Sequence, residues 1–122
     1  MRIILTANYS PWSAYSGGGQ RSTHNLAVEF SKRGHEVHLI NTRTLLDRAR
    51  APRDLPYTHH WAFLPGFQCR RNLLLRPLSA YFVKRKVEQL LKSQSSGPTI
   101  IHCNGEEGAW VHTLRSRYVF GL

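Results

Sequence analysis

The pattern of apolar and polar positions changes several times along the chain, and each change marks an element. Arg2 to Ala7, "RIILTA", is an apolar run without alternation, the pattern of a parallel strand covered on both faces. A polar loop with Pro11 and the triplet Gly17, Gly18, Gly19 follows. Thr23, Leu26, Ala27 and Phe30 then recur at helical spacing, which predicts an amphipathic helix. Lys32 and Arg33 stand in its last turn, where the dipole favours cations, and Gly34 can take the left-handed conformation that ends it. "EVHLINT" reads as a second strand. Strand, helix and strand in such close succession make a βαβ unit with a parallel pair.

The stretch "RTLLDRARAPRDLPY", with two prolines and mixed charges, reads as a loop or broken helix. "THHWAFL" is a third strand ended by Pro65-Gly66. Pro77 suits the first turn of a long helix in which Ala80, Val83, Val87, Leu90 and Leu91 share one face, and "SSGP" ends it. "TIIHCN" is a fourth buried strand, "EGAWVHTLRS" a further helix, and "RYVFGL" opens a fifth strand with no helix after it. The predicted fold class is α/β: a Rossmann-like parallel sheet with flanking helices, in one unit spanning residues 1–122.

No apolar run has the length of a membrane span, and "MRIILTANYS" lacks the apolar core and cleavage site of a signal peptide, so the expectation is a cytoplasmic protein. Cys69 and Cys103 match no metal or redox spacing and read as reduced thiols, Cys103 buried. The net charge of +10 is concentrated: residues 43–92 hold eleven basic groups against three acids, which is +8 of the total. Such a field attracts nucleic acid, anionic lipid or phosphorylated small molecules without choosing among them.

The glycine triplet stands where chemistry is expected. A helix N-terminus leaves backbone N–H groups unpaired and partly positive, so it suits phosphate, and glycines let a ligand approach the backbone. In an open parallel sheet the ligand crevice lies at the carboxyl ends of the strands, where Tyr9 to Gln20 must emerge. A lone glycine triplet more often marks a surface turn. "GGGQRS" is neither a P-loop, lacking Lys-Ser/Thr, nor the G-x-G-x-x-G of dinucleotide enzymes.

Taken together, "MRIILTANYSPWSAYSGGGQRSTHNLAVEFSKRGHEVHLI" resembles the opening of the group 1 glycosyltransferases, the retaining GT-B enzymes of family 4, with their Tyr/Pro turn, GG-x-E/Q element and "RGHEV". "TIIHCNGEEGAW" resembles their "D-V-V-H-x-H-G" segment. The resemblance covers almost the whole chain and reverses the surface-turn reading. It implies the incomplete N-terminal, acceptor-side half of a GT-B fold, with the donor-binding C-terminal domain supplied in cis or trans. Gly17, Gly18, Gly19 and Gln20 would lie against the diphosphate of a nucleotide-sugar. Tyr9, His102, Glu106 and Glu107 would meet the acceptor, the two glutamates reading equally as solvated charges at a helix N-terminus. Asn104 stands where the family has its second histidine. It cannot titrate near neutral pH, so an acid/base role is lost there while sugar binding survives.

Nothing in the resemblance calls for a cofactor or metal, and the adjacent His59 and His60 point to opposite faces of a strand, a poor metal site. His24, His35, His38 and His112 read as structural or surface residues. Arg70, Arg71, Arg76, Lys84, Arg85, Lys86 and Lys92, with Trp61, Phe63, Phe67, Tyr81 and Phe82, suggest a patch for anionic lipid at the inner membrane face, the alternative being a solvated helix face. As a fragment the chain is expected to be inactive alone. The competing readings are a small basic α/β module binding nucleic acid or a protein partner, or a non-catalytic transferase remnant. Nucleic acid is disfavoured, since no RNP, KH or helix-turn-helix signature is present.

Overall fold

The computed structural model describes residues 1–13, 17–44, 49–64, 75–93, 97–104, 111 and 119–121. Its elements run β1 (Arg2–Ala7), α1 (Gly18–Lys32), β2 (Glu36–Thr44), β3 (Thr58–Leu64), α2 (Leu75–Lys92), β4 (Thr99–Cys103) and β5 (Val119–Gly121). All pairings are parallel, in the order β3-β2-β1-β4-β5. This is a Rossmann-like sheet. Its order reverses between β1, which leads outward through β2 to β3, and β4, which leads the other way to β5.

The central strand shows why its sequence is apolar throughout. All six residues of β1 are buried, because β2 and β4 flank it and each face is covered. Ile4 joins Ile40, Ala62, Ile101, Val83, Val87 and Val111 in one cluster, under α2. Ile3 and Leu5 join Val37, Leu39, Ala27 and Tyr57 in the other, under α1. Alternate residues of a strand thus feed two separate cores. Each fully buried aliphatic side chain contributes about 1.5–3 kcal/mol.

The predicted helices and strands form, with informative differences at their edges. Thr23 and Ala27 are buried beneath α1, but Leu26 turns outward at 38% exposure because it sits at the margin of the apolar stripe. Gly34 has φ +85, as its role in ending α1 requires, and its N–H donates to the Ser31 carbonyl at 3.0 Å. Strand β2 continues through Arg43 and Thr44, which read as loop by composition, because β3 pairs with it to its last residue. Ala80, Val83 and Val87 are buried and Leu90 and Leu91 pack partly buried, as the stripe predicts. Cys103 is half-buried rather than buried: it is the last residue of β4 and packs at the edge of the α2-side core. Of the expected helix over 107–116, only Val111 falls among the described residues, buried in the α2-side core.

The amino-terminal end of the sheet is closed by one side chain. Arg2 is only 3% exposed, and its guanidinium donates to Leu90 O at 2.8 Å, Ser93 O and Ser93 Oγ at 3.0 Å, and Thr99 Oγ1 at 3.1 Å. Leu90 and Ser93 bracket the C-terminus of α2, where carbonyls lack partners and a cation is favoured. Arg2 therefore ties β1, α2 and β4 together.

Candidate functional site

At the opposite end of the sheet the chain is tied differently. After Ala7 the backbone turns sharply, with Tyr9 at φ 55, a left-handed conformation uncommon for a residue with a side chain. The turn is held by β2: the Tyr9 N–H donates to Thr42 Oγ1 at 3.1 Å, and Asn41 Nδ2 donates to Tyr9 O at 2.7 Å and to Ala7 O at 3.2 Å. Ser10, next in the turn, buries its Oγ with no hydrogen-bond partner among the described residues.

The loop then delivers the glycines. Gly17 is the cap of α1 with an extended backbone, and Gly18 and Gly19 lie inside the first turn rather than ahead of it. Gln20 anchors this start, its Oε1 accepting from the Gly17 N–H at 2.9 Å and its Nε2 donating to Asn8 O at 2.7 Å. This is half of a capping box. Gly17 has no side chain to reciprocate, and α1 has no acidic residue in its first turn. Among the described residues no carboxylate compensates the partial positive charge of its amino end.

Two glycines within a helix each cost roughly 0.5–1 kcal/mol relative to alanine, so their surroundings matter. A Cβ at Gly19 would lie 3.0 Å from Asn104 Nδ2, whereas a Cβ at Gly18 would meet nothing within 4 Å. Gly19 lets a neighbour approach; Gly18 leaves an open notch. Gly18 shares the exposed outer face of α1 with Arg21, Ser22, Asn25, Leu26 and Glu29, which places a guanidinium beside the helix start.

The neighbour at Gly19 is the link between the two halves of the sheet. Asn104 follows β4, donates its backbone N–H to Thr6 O at 3.1 Å, and donates Nδ2 to Gly19 O at 3.3 Å. One exposed amide thus bridges β1, β4 and the first turn of α1, at the point where strand order reverses. In doubly wound sheets that point is where ligands bind. The family model for Glycosyltransferase Family 4 matches residues 16–121. The chain belongs to glycosyltransferase family 4. No curated protein matches it.

In this family 4 chain the structure brings together Tyr9, the glycines, Gln20 and Asn104 at the carboxyl end of the sheet. His102 is half-buried in β4, in register with Leu5 of β1, one strand residue short of the tip. Glu106, Glu107, Arg70 and Arg71 lie outside the described residues, as does the side chain of Arg76. The described basic residues of α2 face different directions. Lys84 is half-buried with Nζ 3.8 Å from Glu88 Oε1, Lys86 stands near enough to His60 to depress its pKa, and Arg85 lies over Tyr81 at 6.0 Å. Arg85 and Lys92 are exposed with Tyr81 along one stripe of α2. Trp61 is on the opposite face of the sheet, since Ala62 beside it faces α2. No helix among the described residues is long and apolar enough to cross a membrane.

His59 and His60 point to opposite faces, as alternation requires. His60 Nε2 lies 3.0 Å from His38 Nδ1 with the rings stacked, and His38 Nε2 lies 2.8 Å from Glu36 Oε1. Burial, then the neighbouring His38 and Lys86, lowers the His60 pKa to about 4. On the other face His59 is likewise lowered to about 4, by burial and then His60.

Sequence reasoning passed over the residues around His59. Its ring meets Trp61 edge-on at 4.5 Å and Trp12 at 5.2 Å, while Trp12 also meets His24 at 5.9 Å, and His24 Nδ1 lies 2.7 Å from Tyr57 Oη. Burial raises the Tyr57 pKa to about 12, which keeps that hydroxyl protonated. The alternation in "THHWAFL" was the available signal: it places His59 and Trp61 on one face, but nothing local reveals that Trp12 and His24 arrive there.

Proposed function

We propose that this chain is the acceptor-side, N-terminal region of a retaining glycosyltransferase that moves a sugar from a nucleotide-diphosphate donor to a glycan or lipid-linked acceptor. The observation that carries the reading is the meeting of the uncompensated α1 N-terminus with Asn104 where the strand order reverses. A diphosphate at the Gly18 notch would face the positive end of α1, with Arg21 on the exposed outer face beside it. The same groups would stabilise the negative charge that grows on the diphosphate as the sugar departs. Asn104 would orient hydroxyl groups, since an amide both donates and accepts but does not exchange protons near neutral pH. Tyr9, His102, Glu106 and Glu107 take the acceptor side. A second, donor-holding domain in cis or trans completes the reaction centre, so this region alone is not expected to turn over. The exposed α2 stripe of Tyr81, Arg85 and Lys92 supports contact with an anionic membrane surface.

Calorimetric titration with uridine and guanosine diphosphates tests the reading. Binding by the unaltered chain, weakened about tenfold or more in Gly18→Asp, is expected, because a carboxylate in the open notch repels the ligand. Absence of binding by either diphosphate, or equal binding by the variant, contradicts it.

A further inference from the structure

We propose that Trp12, His24, His59 and Trp61 form a binding site for a pyranose ring, on the α1 face of the sheet at the carboxyl halves of β2 and β3. The site deepens the transferase reading, in which this ring belongs to the acceptor.

Among the described residues no helix covers this part of the sheet. Parallel strands are usually joined by a crossover helix, but the described part of the β2–β3 connection, residues 49–57, contains none. Helix α1 covers Ile3, Leu5, Val37 and Leu39 near the amino ends of the strands. Further along, the same face carries Asn41, His59 and Trp61, met by Trp12 from the loop after β1 and by His24 and Tyr57. Trp12, His24, His59 and Trp61 are half-buried, and the Arg43 guanidinium lies over the Trp61 ring, 5.1 Å from its centroid, so the sugar face is offered chiefly by Trp12 and the rim of His59.

The polar groups are set for hydroxyls. Asn41 is fully buried, and its Nδ2 is aimed at two carbonyl oxygens, Tyr9 O and Ala7 O. Its Oδ1 must therefore face His59 Nε2, 2.8 Å away, so Nε2 carries the proton. His59 Nδ1 is then a bare lone pair, with no partner among the described residues, and burial keeps the ring neutral at physiological pH. A neutral imidazole acceptor between two indoles fits a sugar, whose C–H face packs on aromatic carbon while its rim hydroxyls donate.

The test is a titration of the nitrogen-15-labelled chain with methyl α-D-glucopyranoside and methyl α-D-mannopyranoside, followed at the Trp12 and Trp61 indole N–H signals and the His59 ring nitrogens. Saturable shifts at these groups are expected with at least one pyranoside. Trp12→Ala should weaken binding about tenfold, and His59→Phe, which keeps a ring but removes the lone pair, should also weaken it. Gln89→Ala, on the exposed side of α2, should leave it unchanged, and each variant's amide spectrum checks its fold. The absence of saturable indole shifts with either sugar, or shifts undiminished in Trp12→Ala, overturns the proposal. A nucleoside diphosphate titration of the same sample, read at the Gly18 and Gly19 amides, separates the two readings. Glycine shifts without indole shifts leave the transferase reading standing and remove this one. Indole shifts without glycine shifts do the reverse.

Discussion

The two ends of the parallel sheet are built on opposite principles. At the amino end Arg2 is buried and donates to four oxygens, of Leu90, Ser93 and Thr99, and the Glu36 N–H is closed onto Met1 O at 3.0 Å. At the carboxyl end Tyr9 is held at positive φ, Ser10 Oγ is buried without a partner among the described residues, and two glycines occupy the first turn of α1. One end satisfies its groups, and the other carries strain and open polar capacity. The difference teaches where the chain spends stability: local costs collect at the strand order reversal, where a ligand can engage those groups, and the far end holds the fold together.

The comparison breaks most readily at Arg2. Arg2→Ala removes the cation and its four hydrogen bonds, leaving Leu90 O only its bonds from Ser93, with an expected loss of about 3 kcal/mol, read as a lowered urea midpoint. Diphosphate affinity should stay within about twofold if the ends are independent.

Acid should have the next largest effect. The His59 and His60 pKa values lie near 4, below the ordinary 6.5, so the folded rings stay neutral while the unfolded chain takes up protons as pH falls below 6.5. Their stabilisation is therefore complete above about pH 6.5 and is lost as the pH falls towards 4. Full conversion of such a shift is about 3 kcal/mol per ring, and these partly exposed rings should show about half of that. Denaturation midpoints between pH 7 and 4 check the sign, and His60→Gln should flatten the slope.

The smallest effect runs in the opposite direction. Gly18→Ala and Ser10→Ala should each stabilise the fold by up to about 1 kcal/mol. The first gains helix propensity in open space, and the second removes an unsatisfied hydroxyl. Thermal melts would detect it, and destabilisation by either would mean that this end is not strained as described.

Much of this architecture was legible beforehand because its signals are local. The unbroken apolar run of β1, the His-Trp alternation of β3, the apolar stripe of α2 and Gly34 each state their element within a few residues. The resemblance in the first forty residues and in "TIIHCNGEEGAW" located the glycine turn and Asn104. What stayed hidden depends on residues distant in sequence. Arg2 reads as an ordinary basic N-terminal residue until α2 brings Leu90 and Ser93 to it. Asn41 looks like a polar strand end, yet its amide fixes the Tyr9 turn and the His59 proton at once. The basic middle suggested one patch from composition, but successive helix residues point about 100° apart, so Lys84, Arg85 and Lys86 face three directions, and strand alternation sends Trp61 to the other face.

The most direct test of the central claim is to map uridine diphosphate on the nitrogen-15-labelled chain. Progressive shifts at the amides of Gly18, Gly19 and Asn104, with Arg2 and Ser93 unmoved, are the predicted result. Shifts confined to Lys84, Arg85 and Lys86 would contradict it, since the anion would then be following the charge of α2 and not the strand order reversal.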